Sequence, residues 1–105
     1  MPRAKAVGGL PFRTRVYINN QIFIPASVIR ALGLSDINHV DVVIRHGGRA
    51  VRIFGVKLLS NGRGFSRQFT IPKQVRERYG IMPLDEIEVV EIKPSVNALA
   101  GDYSE

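Results

Sequence analysis

Gln21-Ile22-Phe23-Ile24-Pro25 and Gln68-Phe69-Thr70-Ile71-Pro72 carry one short pattern twice, 47 residues apart. With that offset held and no gap, Val28 meets Val75, Gly33 meets Gly80 and Leu34 meets Ile81. The match continues as Ile37 with Leu84, Val40 with Ile87, Val42 with Val89 and Val43 with Val90. Chance supplies an Ile-Pro pair easily, but not an ungapped run of apolar and turn residues after it. Self-similarity at a fixed period marks a repeated structural unit. The chain therefore reads as two copies of one strand–strand–helix–strand unit.

Within the first copy, Thr14 to Ile18 and Gln21 to Ile24 read as strands around an Asn19-Asn20 turn, since Asn tolerates positive φ. Pro25 opens a short helix, where its missing N–H costs nothing. Val28, Ile29, Ala31 and Leu32 give that helix an apolar face, and Gly33 ends it as a left-handed cap. Val40 to Arg45 and Arg49 to Phe54 are strands about the His46-Gly47-Gly48 turn, with Ala50, Arg52 and Phe54 on one face and Val51 and Ile53 on the other. The second copy begins with a strand at Gly55 to Leu59 and turns at Ser60-Asn61-Gly62-Arg63. It resumes at Phe65 to Ile71, has a helix from Pro72 to Gly80, and ends in a strand from Asp85 to Ile92.

The boundaries are an arm at 1–12, copy one at about 13–54, copy two at about 55–94 and a tail at 95–105. Neither copy can bury its own apolar strands. The fold class expected is mostly β with two short helices: two tandem β-β-α-β units closed into one pseudo-two-fold β-barrel, which removes exposed edges.

Fifteen Lys and Arg against nine Asp and Glu give a net charge of +6 and a pI near 10.3. A basic domain attracts polyanions, nucleic acid first among them. Up to Arg76 only Asp36 and Asp41 oppose thirteen bases; beyond it, acids dominate. Such a one-sided distribution suggests one face for a polyanion. With no cysteine, disulfides, thiolate metal sites and thiol catalysis are excluded. Met1-Pro2-Arg3-Ala4-Lys5 lacks the apolar segment of a signal peptide, and no apolar run spans a bilayer. A cytoplasmic protein without membrane contact is expected.

The order of strand, turn, strand ending in Ile-Pro, short helix ending in Leu-Gly or Tyr-Gly, then a strand resembles the SpoVT–AbrB family. The family's Gln-x-x-Ile-Pro-Lys-x-Val-Arg stands here as Gln68-Phe69-Thr70-Ile71-Pro72-Lys73-Gln74-Val75-Arg76. The first copy keeps Gln21 to Pro25 but has Ala26 and Ile29 where the family usually has bases. The resemblance covers roughly Arg13 to Ile92. It implies a swapped-hairpin AbrB-like β-barrel, here a pseudo-dimer within one chain, acting as a DNA-binding transcription regulator. It also implies DNA contacts from the first hairpins and helix starts: Arg13 and Arg15 in copy one, and Arg63, Arg67, Lys73 and Arg76 in copy two.

The residues agree with a nucleic-acid reading. Guanidinium groups on Arg13, Arg15, Arg63 and Arg67 suit phosphates and base edges. The same positions of both copies are basic, with no acid nearby in sequence. Lys73 and Arg76 oppose the helix dipole unless a phosphate reverses the balance. Arg3 and Lys5 sit on a basic arm of the kind that reaches into a groove. Against these stand solvated strand positions that guard sheet edges, and a plain chain end. Arg45, Arg49 and Arg52 either extend the basic surface or pair with Asp41, Glu86 or Glu88. The aromatic side chains alternate mostly into core positions.

Double-stranded DNA is favoured as partner, for a transcription regulator or chromatin-associated protein. An RNA-binding part of a ribonucleoprotein and an antitoxin-like protein-interaction module, with a homodimer or protein partner, are the alternatives. His39 and His46 fit no metal-ligand spacing. No cofactor is implied, and no catalytic constellation is present, so an enzyme is the least expected class.

Overall fold

The computed structural model describes residues 9–60, 62 and 64–96. The expected contact residues Arg3, Lys5 and Arg63, residues 1–8 of the arm and 97–105 of the tail lie outside the described residues. Among the described residues seven strands and two helices follow in the order β1 (Phe12–Arg15), β2 (Gln21–Ile24), α1 (Ala26–Ala31), β3 (His39–His46), β4 (Arg49–Lys57), β5 (Leu59–Ser60), β6 (Arg67–Thr70), α2 (Lys73–Tyr79) and β7 (Glu86–Pro94). Among the described residues no helix is long and apolar enough to cross a membrane.

The strands form two sheets, in the orders β1-β7-β3-β4 and β2-β6-β5. They do not close into a barrel, which corrects the expected architecture. The reason lies in the hairpins. β1 and β2 belong to different sheets, as do β4 and β6, so the chain passes between layers instead of extending one sheet around a circle. The edge strands β1, β4, β2 and β5 remain.

Partner choice is the main feature of the topology. β1 pairs with β7, β2 with β6, and β3 with both β4 and β7, all antiparallel. The β1–β7, β2–β6 and β3–β7 ladders join the two units, the β3–β4 ladder crosses between them at His39–Lys57 and Val40–Val56, and the two-residue β5–β6 pairing lies within the second. The register is also two-fold. Ile22 lies opposite Phe69, its own counterpart at offset 47, while Gln21 faces Thr70 and Phe23 faces Gln68. In the other sheet the β3–β7 pairing is centred near Val43 and Val90, where the register shifts by one residue. One pseudo-two-fold axis therefore runs through the middle of both sheets.

The core repeats with the same symmetry. Ile22, Ile24, Leu34, Val40 and Val42 are buried, as are their counterparts Phe69, Ile71, Ile81, Ile87 and Val89. The helices differ. α1 buries Val28 and Ile29, whereas α2 buries no residue. At the position of Ile29 it carries Arg76, whose Nε donates to the Ile71 carbonyl at 3.0 Å. Ala31, expected on the apolar face, is exposed. The aromatic side chains depart further from expectation. Among the described residues Phe69 is the only fully buried aromatic, while Tyr17, Phe54 and Phe65 stand exposed at strand faces and hairpin tips.

β4 runs without a break through Gly55, so the fourth strand of copy one and the first of copy two are one strand. The β3–β4 register slips between Val40 and Val42, which face Val56 and Ile53. Gly55, at φ +67°, takes up the extra residue, and its N–H donates to Asp41 Oδ1 at 2.9 Å. A bulge reverses the alternation of side chains beyond it. Val51 and Ile53 point inward before it and Val56 after it, so Arg52, Phe54 and Lys57 all point outward.

Candidate nucleic-acid interface

The hairpins fix where the expected arginines go. Val16 donates to the Asp85 carbonyl at 2.9 Å, and Leu58 donates to the Asn38 carbonyl at 2.8 Å. Asn38 and Asp85 are counterparts at offset 47, so Val16 and Leu58 are structural counterparts too. Val16 precedes Gln21 by five residues and Leu58 precedes Gln68 by ten. The second hairpin is longer, and the counterparts of Arg13 and Arg15 are Gly55 and Lys57. The sequence reading had matched Arg13 and Arg15 with Arg63 and Arg67; the longer hairpin breaks that equivalence.

Arg13 and Arg15 are exposed on the outer face of the four-stranded sheet. Their cross-strand partners are Glu88 and Glu86 on β7. Glu88 also meets Arg45 from the other side, with Nε to Oε1 at 3.7 Å, and Arg15 Nη1 donates to the Leu84 carbonyl at 3.2 Å. The acids that crowd the end of the sequence thus return to the middle of the sheet, between the bases of β1 and β3. Charge that is one-sided along the chain is interleaved in space.

Arg67 lies in the other sheet, and its Nη1 donates to the carbonyls of Ser66 at 2.9 Å and Gly64 at 3.4 Å. Lys73 approaches Glu77 at 3.9 Å, one helical turn along, with both side chains largely exposed. The described hairpin arginines therefore do not share one face.

Sequence reasoning left β4 undecided and missed its significance. Arg49, Arg52 and Lys57 are all exposed on this edge strand. The residues directly opposite on β3 are His46, Val43 and His39, none of them acidic. The row of Arg52 does carry Glu91 beyond Val43, and Glu91 approaches Lys93 at 3.9 Å. Arg49 lies over the Tyr79 ring, 5.8 Å from its centroid. The signal lay in the strand's own sequence, Arg-x-x-Arg with a later Lys, but only the bulge brings Lys57 into line. A groove of about 270 Å³ between the two sheets is lined by Gly55, Val56, Lys57, Leu59, Thr70 and Pro72.

One titratable contact ties the units together. His46 Nε2 and Asp85 Oδ2 are 2.8 Å apart. Asp85 also accepts the Met82 N–H at 2.9 Å. That backbone hydrogen bond first, and the His46 contact second, hold the Asp85 carboxyl below its ordinary range.

No protein-family model, no curated protein and no solved structure matches this chain.

Proposed function

We propose that this chain is a non-enzymatic, double-stranded-DNA-binding protein of the SpoVT–AbrB type, a transcription regulator or chromatin-associated factor. In this reading the fold is a swapped-hairpin pseudo-dimer in a single chain. What supports it most is the two-fold register centred on Ile22 and Phe69, in which the first arm of each hairpin pairs with the last strand of the other unit. The net charge of +6 supports the choice of ligand. Affinity arises chiefly from neutralised phosphates, which release counterions.

The test is fluorescence anisotropy with a labelled 25-base-pair duplex between 50 and 300 mM salt, with a structured RNA as competitor. The expected result is binding at low salt that falls by about a thousandfold or more between 50 and 200 mM, given six or more phosphate contacts. No binding at 50 mM, or no dependence on salt, would overturn the proposal. Preferential displacement by the RNA would move the reading to a ribonucleoprotein component.

A further inference from the structure

Resting on that nucleic-acid reading, we propose that the edge strand β4 is the element that lies along the duplex phosphate backbone, through Arg52 and Lys57 on its outer face, with Arg49 at its turn end on the opposite face by alternation. Three observations carry this. First, these side chains are exposed on a sheet edge, so a ligand reaches them without displacing another strand. Second, their cross-strand neighbours are uncharged or imidazole groups, whereas Arg13 and Arg15 face Glu88 and Glu86. A phosphate meeting Arg13 or Arg15 competes with a carboxylate directly opposite; the acids nearest Arg52 and Lys57 are already engaged, Asp41 by the Gly55 N–H and Glu91 by Lys93. Third, the Gly55 bulge reverses the strand's alternation. Without it Lys57 would turn toward the core; with it Arg52 and Lys57 share the outer face.

The dimensions fit a duplex. Eight steps of extended chain separate Arg49 from Lys57, roughly 26 Å at strand rise. Each strand of a duplex presents one phosphate per roughly 3.4 Å of axis. β4 is therefore long enough to reach several phosphates of a duplex. Phe54 stands exposed between Arg52 and Lys57 on the same face, where it covers sugar edges and gives no base selectivity. The contact is thus sequence-tolerant, fixing position more than specificity.

The test compares the triple variant Arg49→Gln, Arg52→Gln, Lys57→Gln with the double variant Arg13→Gln, Arg15→Gln, using the same labelled duplex. The triple variant is expected to weaken binding roughly tenfold or more at 100 mM salt. It should also flatten the salt slope by about 0.9 per lost contact, while the double variant changes affinity much less. Arg49 packs on Tyr79, so a second measurement is made on the unaltered protein. Acetylation of Lys57 should slow when duplex is bound. An unweakened triple variant, or Lys57 equally reactive with and without duplex, overturns the assignment to β4 and leaves the DNA-binding reading standing. Failure of the unaltered protein to bind duplex overturns both.

Discussion

Asp41 is one of only two acids before Glu77, and its position explains why it is there. Its Oδ1 accepts the Gly55 N–H that the bulge removes from the ladder. Removing the acceptor leaves a half-buried donor unsatisfied, which costs about 1–3 kcal/mol. Asp41→Ala should therefore lower stability by that amount in urea unfolding, while Asp41→Asn, which keeps an oxygen acceptor, should lose less than half as much. Equal losses would show that charge, and not the hydrogen bond, is what the bulge needs. Asp85 offers a pH-dependent counterpart. Its carboxyl is held low by the Met82 N–H and by His46, so the folded state binds its proton more weakly than the unfolded chain. That contribution is fully present above the unfolded carboxyl value of about 3.9 and is lost as pH falls through the lower folded value. The stability gap between the parent and Asp85→Asn should accordingly close as pH falls below about 4. A gap that persists undiminished at pH 2 would contradict the assigned contacts.

At the scale of the elements, the two helices end alike. Gly33 has φ +67° and Gly80 has φ +68°, and a Cβ added at either would meet nothing within 4 Å. Leu34 donates to the Ile29 carbonyl at 2.9 Å, and Ile81 to the Arg76 carbonyl at 3.0 Å, the same closing bond 47 residues apart. An alanine at either position costs only the left-handed backbone penalty, about 1 kcal/mol. Gly33→Ala and Gly80→Ala should shift the urea midpoint equally, and unequal shifts would argue against equivalent caps. These elements were legible in sequence because they depend on local rules: Pro opens, an apolar face follows, Gly closes. The alternation of Val51 and Ile53 against Ala50, Arg52 and Phe54 was legible for the same reason. The interface was less so. Arg13 meets Glu88 and Arg15 meets Glu86 across more than seventy residues of chain, and no local pattern announces such a pairing. The longer second hairpin was hidden too, because the offset of 47 begins only at Gln21 and Gln68. The bulge that turns Lys57 outward is a property of two strands in register, invisible in either alone.

For the whole molecule, ladders that mostly cross between units mean that neither half holds its own sheet. Cut between Gly47 and Gly48, an exposed turn, the second half keeps only the two-residue β5–β6 ladder and the first keeps none. Each fragment exposes an apolar strand face that its own few residues cannot cover. The cross-unit charges then decide who pairs with whom. Arg13, Arg15 and Arg45 come from the first half, and Glu86 and Glu88 from the second. In a pair of first halves, His39 and Asp41 would replace Glu86 and Glu88, leaving Arg15 opposite an imidazole. The axis adds a packing term. It joins Ile22 to Phe69, so two second halves would set Phe against Phe in a space shaped for one ring. Mixed pairing therefore sets Arg15 opposite Glu86 and places one ring, not two, on the axis. Fragments 1–47 and 48–105, each at low micromolar concentration, should lack a cooperative unfolding transition, and mixing them in equal amounts should restore strand circular dichroism and a single transition. Either fragment unfolding cooperatively alone would refute this division of the fold. Phe69→Ala in the intact chain should cost about 3–5 kcal/mol, with probes in both units losing structure together because the residue sits on the axis they share.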